Sequence, residues 1–202
     1  RNERSKGLNW DINYKTKFGD ISFSFNQLFF YTHLAQPLVL SNTSGTIFAF
    51  KNANGSLDTK GMETNVRLTY ADFKLFIGYT YTNANTHFDN AKQWLPLTAR
   101  HRLNNVLMYE IEDKLKLGLE AYYFSKQRLS DGSFGKSYWI TGFMAEKLWE
   151  KWSVFINFEN FTDTRQSKFD KVFTGTIQDP IFRDIYAPVD GFVINGGIKI
   201  RL

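Results

Sequence analysis

Residues 191–202 read GFVINGGIKIRL. Phe192, Ile194, Ile198, Ile200 and Leu202 fall on one side of this stretch, with Gly196 among them. Val193, Asn195, Gly197, Lys199 and Arg201 fall on the other, because successive side chains of a strand point to opposite faces. An apolar-faced strand with an unprotected edge is a pairing hazard in water. The rest of the sequence has to supply what makes it useful.

The same period of two recurs along the chain. In LNWDINYKTKF (8–18), Leu8, Trp10, Ile12, Tyr14 and Phe18 alternate with Asn9, Asp11, Asn13, Lys15 and Lys17. Gly19-Asp20 then supplies a tight hairpin turn. Ile21, Phe23 and Phe25 oppose Ser22, Ser24 and Asn26; Phe73, Leu75, Ile77, Tyr79 and Tyr81 oppose Lys74, Gly78, Thr80 and Thr82. Leu115, Leu117, Leu119, Ala121 and Tyr123 oppose Lys116, Gly118 and Glu120, and Trp152, Val154, Ile156 and Phe158 oppose Ser153, Asn157 and Glu159. Segments 102–111 and 137–147 are extended but ambiguous as to their apolar side. Segment 45–70 reads as one long strand bulged at the polar, glycine-containing stretch Asn52 to Ser56, with a separate hairpin at Asn52 to Gly55 as the alternative. By the alternation rule the chain holds about nine strands.

The connections alternate in length: short at 19–20, longer at 37–45, short at 71–72, long at 84–98, short at 112–113, longer at 127–135, short at 148–151 and very long at 162–189. Strands running up and down put alternate connections at opposite ends. One end is therefore trimmed to turns while the other carries the loops, as in outer-membrane barrels.

Composition narrows the function classes. Seventeen per cent of the 202 residues are aromatic, with 20 Phe and 10 Tyr, and there is no Cys, which removes disulfide frameworks, thiolate metal sites and Cys nucleophiles. The net charge of +5 is mild, and no basic run marks a nucleic-acid patch. No apolar run approaches the roughly 20 residues of a spanning helix. The opening RNERSK lacks signal-peptide features and Met, so a mature or cut chain is expected.

Alternation alone does not say which face is wet. A soluble barrel or sandwich buries its apolar side; a membrane barrel turns it to lipid. Charges at mid-strand (Asp11, Glu63, Arg67, Glu120, Glu159), aromatics near strand ends (Trp10, Phe18, Tyr70, Tyr81, Tyr109, Tyr123, Trp152) and the abrupt last strand favour the membrane. The fold class is all-β, an antiparallel transmembrane β-barrel segment.

Several motifs, in order along the chain, resemble the C-terminal barrel portion of a TonB-dependent outer-membrane receptor. They are Phe50, Asn52, Gly61, Met62 and Glu63; then Pro96, Arg100, His101 and Arg102; then Asn160, Phe161, Thr162 and Asp163; and finally Gly191 to Leu202. Phe161-Thr162 departs from the usual Leu-Phe, and Leu202 stands where such barrels end on an aromatic. The resemblance implies a larger barrel of about 22 strands plugged by a globular domain, with residues 1–202 its C-terminal part and the plug and earlier strands lying outside them. It implies partners as well: the TonB complex through that plug, the remaining strands and outer-membrane lipid, with a surface lipoprotein a candidate and nucleic acid none. Localisation in a Gram-negative outer membrane follows. Phe192, Ile194, Ile198, Ile200 and Leu202 then belong to the barrel-closing strand, with Lys199 and Arg201 as lumen-side or periplasmic-end charges.

No catalytic constellation, phosphate-cradling loop or paired-His metal spacing stands out. The chain is read as no enzyme, with no cofactor and no metal. His33, His87 and His101 are scattered over strand ends and loops. The loop 162–189 mixes Phe169, Phe173, Phe182 and Tyr186 with Lys168, Lys171, Arg183 and Asp184, which suits either a ligand vestibule or a loop packed on itself. Phe169, Arg183 and Tyr186 are its candidate ligand contacts. The function expected is import of a scarce nutrient (siderophore, haem, corrinoid or glycan). The alternatives are a passive porin-like channel or a soluble β-barrel ligand-binding protein.

Overall fold

The computed structural model describes residues 2–44 and 47–201. Strands β1 (Arg4–Phe18) and β2 (Ile21–Ala35) form a hairpin about Gly19-Asp20, with Gly19 at φ 56°. The chain then makes a two-stranded excursion, β3 (Leu38–Ser44) and β4 (Ile47–Asn52), and returns as β5 (Gly55–Tyr70). A two-residue turn leads to β6 (Phe73–Phe88), and the short β7 (Ala91–Trp94) folds back antiparallel against its far end. Strands β8 (His101–Ile111), β9 (Leu115–Phe124), β10 (Tyr138–Leu148) and β11 (Trp152–Glu159) follow. The last long connection holds the single-turn helix α1 (Gln166–Phe169) and the small pair β12 (Phe173–Gly175) and β13 (Pro180–Phe182) before β14 (Val193–Ile200).

Nine strands lie side by side in the order β1-β2-β5-β6-β8-β9-β10-β11-β14, with β7 attached to β6. Every neighbour is antiparallel. Among the described residues the sheet is open, with β1 and β14 at its edges. No helix is long and apolar enough to cross a membrane, which says nothing of strands.

The bulged-strand reading of 45–70 is corrected here. β4 pairs with β3, off the main sheet, so Phe50 and Asn52 stand apart from Gly61, Met62 and Glu63 on β5. The hairpin alternative at Asn52 to Gly55 does not hold either, since β4 turns back on β3 and not on β5. The sequence pattern misleads because β4 alternates just as β5 does, and a strand's period does not name its partner. The up-and-down order survives because the excursion lies wholly within the loop between β2 and β5. Gly55, where the chain rejoins the sheet, has φ 142°, and a Cβ there would sit 1.8 Å from the His87 carbonyl oxygen.

Register settles both ambiguous segments. Leu103, Leu107 and Tyr109 align with Tyr79, Leu75 and Phe73 on the apolar face. Trp139 and Phe143 align there with Tyr123 and Leu119. Asn105 interrupts the apolar row and donates to the Ala121 carbonyl at 3.4 Å, which explains the unclear pattern.

Among the described residues, no second sheet covers this apolar face. Leu8 is 72% exposed, Ile198 67% and Ile200 71%, whereas the buried hydrophobic core among the described residues is Ala84, Ala99, Leu129, Leu148, Tyr186 and Ala187. A soluble sandwich of this size would enclose such a face as its core.

Candidate functional site: the polar wall and the loop vestibule

The opposite face carries the mid-strand charges, and they are held in place. Asp11 accepts from Asn13 at 2.8 Å and from Asn26 at 2.7 Å. Asn65 donates to Glu63, and the Tyr122 hydroxyl donates to Glu120, both at 2.8 Å. Asn157 donates to Asn195, which in turn donates to Glu159 at 2.6 Å, a ladder that fixes β14 against β11. Toward the short-turn end, Glu110 bridges Lys74 and Lys116, and Glu146 accepts from Ser153 and Lys199. Paired polar groups of this kind are hydrated at little cost, as a wet wall requires. Between Glu120, Tyr122, Asn157 and Glu159 lies a cleft of about 450 Å³.

At the loop end, the three residues singled out in the sequence meet around Asp170. The Tyr186 hydroxyl donates to Asp170 at 2.7 Å and accepts from the Lys136 amide at 2.9 Å. The Arg183 guanidinium donates to Asp170 at 3.0 Å and to the Ser133 hydroxyl at 3.1 Å. Phe169 and Tyr186 both lie against Tyr138, with ring centroids 6.3 and 6.4 Å away. Tyr186 is buried, with Leu129 and Ala187. Burial, then its bond to Asp170, pushes its phenol up to about 12. Burial also works to raise Asp170. The Tyr186 hydroxyl, the Lys171 amide and the Arg183 charge outweigh it and hold that carboxyl below its usual range.

Gln166 and Gln127 organise this loop and were not singled out in the sequence. Gln166 is completely buried: its amide donates to the Asp184 carbonyl at 2.9 Å, and its carbonyl accepts from the amides of Tyr186 and Ala187. Gln127 donates to the Tyr186 carbonyl at 3.2 Å. Nothing in the local pattern marks either. Beside Tyr186 is a pocket of about 240 Å³ lined by Arg102, Phe124, Gln127 and Tyr138. Arg100, one residue before β8, lies 3.2 Å over the Trp94 ring.

The Asn160–Asp163 motif is a chain reversal, with φ 48° at Asn160 and 52° at Asp163. The buried Asn160 side chain donates to the Thr164 carbonyl and accepts from its amide, a local bonding that lets Asn adopt this conformation. Ile194, Ile198 and Ile200 lie on the apolar face of β14, Phe192 precedes that strand, and Leu202 lies outside the described residues. The histidines are less scattered than the sequence implies: His33 and His87 flank Asp58 at 2.6 and 3.1 Å, and His101 meets the Tyr79 hydroxyl at 2.8 Å. Among the described residues, no group of three or more His, Asp or Glu side chains is placed to hold a metal.

Comparison with known proteins agrees with this architecture. The family described as "TonB dependent receptor-like, beta-barrel" matches residues 3–161. No curated protein matches the sequence. Among solved structures, the FrpB iron transporter from Neisseria meningitidis is similar with a TM-score of 0.65 and 15% identity, over 97% of this chain and 31% of that one. The ferric-catecholate import receptor Fiu from E. coli gives 0.61 and 15%, over 96% and 27%. The pyoverdine outer membrane receptor FpvA from Pseudomonas aeruginosa gives 0.61 and 18%, over 96% and 29%. The chain thus spans 27–31% of the length of each. Members of the family are transporters rather than enzymes. With a single uncovered apolar face, a bonded polar wall, turns at one end and loops at the other, the chain belongs to the TonB-dependent receptor β-barrel family.

Proposed function

We propose that residues 1–202 form the C-terminal barrel portion of an outer-membrane receptor of a Gram-negative bacterium that imports a scarce nutrient. Energy reaches it from the TonB complex through a plug domain carried by the complete protein. The observation that carries this reading is the pairing of an uncovered apolar face with a bonded polar face across nine strands. In a barrel this arrangement puts hydrocarbon outside and a wet lumen inside. The remaining strands of the complete protein meet the free edges of β1 and β14, since an open edge has no partner for its backbone in lipid. Phe192, Ile194, Ile198, Ile200 and Leu202 belong to the closing strand.

Ferric chelates are the first ligand class to try, because the three similar structures are named for iron, ferric-catecholate and pyoverdine. Haem, corrinoids and glycans complete the panel. Phe169, Arg183 and Tyr186 shape the vestibule through which the ligand passes. The test is uptake of each labelled compound by the host strain, with this gene deleted and restored, in the presence and absence of TonB. Loss of one compound's uptake, restored by the gene and dependent on TonB, is the expected result. TonB-independent passage of small solutes makes the protein a passive channel, and recovery in the soluble fraction makes it a soluble binder.

A further inference from the structure

The β3–β4 ribbon is firmly rooted and poorly covered. At its base the Ala53 amide donates to the Pro37 carbonyl at 2.8 Å and the Gln36 amide to the Gly55 carbonyl at 2.9 Å. The Asn52 side chain donates to the Gln36 carbonyl at 2.9 Å. Above the base, Leu38, Leu40, Phe48 and Phe50 share one face and are exposed by 51%, 59%, 59% and 69%. A ribbon of two strands is marginal in water by itself, and an apolar strand with an open edge invites a further strand.

Register tells which edge is open and what lies beside it. The bond from Ala53 to Pro37 makes these two a bonded pair. Antiparallel pairs alternate between bonded and non-bonded, so Val39 and Ser41 turn their amides toward β4, while Leu38 and Leu40 turn theirs away. No described strand pairs with that outer edge. Its first amide, that of Leu38, is taken by the Glu3 carboxylate. Glu3 precedes Arg4, which pairs antiparallel with Ala35, so the chain entering β1 passes alongside the open edge of β3. Asn2, Arg4, Ala35 and Gln36 line a cleft of about 590 Å³ at this point.

We propose that the segment immediately before Arg1 in the complete protein adds to the outer edge of β3 as a third, antiparallel strand. The inference rests on the reading of residues 1–202 as part of a longer barrel, of which they cover 27–31% in the similar structures. Continuing the register of Arg4 with Ala35 brings that segment beside Val39 and Leu40. Gln36, at φ 52°, turns β3 out of the main sheet, and the new strand follows it out from Glu3. Its alternate side chains flank Leu38 and Leu40 and widen their apolar face to three strands, the number that independent stability takes. A second copy of the chain is a poorer occupant, because Glu3 already holds the first amide of that edge from the β1 side.

The test is residue-resolved amide hydrogen exchange on the complete protein in detergent. In the wild type the Leu40 amide should be protected as well as those of Val39 and Ser41, which face β4. The roughly six residues before Arg1, one strand length, are then replaced by a glycine-serine linker of equal length. Exchange at Leu40 should quicken at least about tenfold, the equivalent of one backbone hydrogen bond, while β1 and β2 stay unchanged. If that variant misassembles, single prolines placed in turn through the same residues should quicken Leu40 at alternate positions only, those whose amide faces β3. A freely exchanging Leu40 amide in the wild type overturns the proposal. Protection that survives the linker overturns it too, and sedimentation then shows whether a second copy holds the edge instead. Heat-modifiable migration and membrane fractionation of the wild type separate the two failures. A protein recovered as soluble removes the barrel reading and this proposal together. An inserted barrel with Leu40 unprotected removes this proposal alone.

Discussion

The two ends of the sheet are built by different means. At the short-turn end, neighbouring strands pair up to the last residue before the turn, as Phe18 does with Ile21 and Tyr70 with Phe73. Ala71 and Asp113 take positive φ of 46° and 53° to make the reversal. At the loop end, strands overshoot, β3 and β4 make a sheet of their own, and residues 162–190 fold around Gln166, Asp170 and Tyr186. Backbone pairing up to the turns, joined by the ion pairs of Glu110 and the bonds of Glu146, orders the first end. In the last long loop, buried side-chain hydrogen bonds do the ordering, so that loop should loosen without disturbing the sheet.

The strongest way to break this description is to exchange the faces. Ile156 of β11 lies on the apolar face and its neighbour Asn157 on the polar one. In the complete barrel, Ile156→Arg is expected to cost about 2–4 kcal/mol near the bilayer midplane, and Asn157→Arg only the loss of its hydrogen bond to Asn195, about 1 kcal/mol. Urea unfolding in bilayers measures both. Equal costs would mean that the apolar face does not meet lipid.

Next comes the loop. Gln166→Leu leaves the Tyr186 and Ala187 amides and the Asp184 carbonyl without the partner they have now, at about 1–3 kcal/mol for each group that stays buried. Hydrogen exchange should quicken across 163–188 while β11 and β14 stay protected. Loss of protection in those strands as well would show that the two ends are not independent. A smaller effect is expected at the hinge between them. Gly55→Ala forces a side chain into a left-handed φ against the His87 carbonyl, costing about 1–3 kcal/mol, read as a lowered urea midpoint.

The same division governs what could be read in the sequence. Strands β1, β6, β9 and β11 were legible because over long runs, such as Leu8 to Tyr14 and Ile77 to Thr82, their two faces differ in polarity, and Gly19-Asp20 announces its turn. The β3–β4 hairpin was not, because Phe48 and Phe50 alternate as a sheet strand would while pairing only locally. Phe169, Arg183 and Tyr186 could be picked as a chemically rich loop, but their meeting at Asp170 is tertiary. Asp170 lies 13 residues from Arg183 and 16 from Tyr186, across a segment with no repeat to follow. Gln166 is a single polar residue whose burial no local pattern foretells.

The smallest effect expected is the pH response of that loop, and its sign follows from the two groups that meet there. Asp170 is held below its usual range by Tyr186, Lys171 and Arg183 in spite of its burial. Its contribution is therefore complete above the ordinary aspartate value of about 3.9 and is lost as pH falls through the lowered one. Tyr186 is pushed the other way, to about 12, by burial and by Asp170. Its contribution is complete below the ordinary tyrosine value of about 10 and is lost as pH rises through the raised one. Between these limits the loop should be insensitive to pH. Near-UV circular dichroism of the tyrosines, followed against denaturant at each pH, reads the plateau. Asp170→Asn should flatten the acid limb and Tyr186→Phe the alkaline one. A change within that plateau would tie the loop to a titrating group outside it. Independence of the loop end from the sheet would then fail at its weakest link.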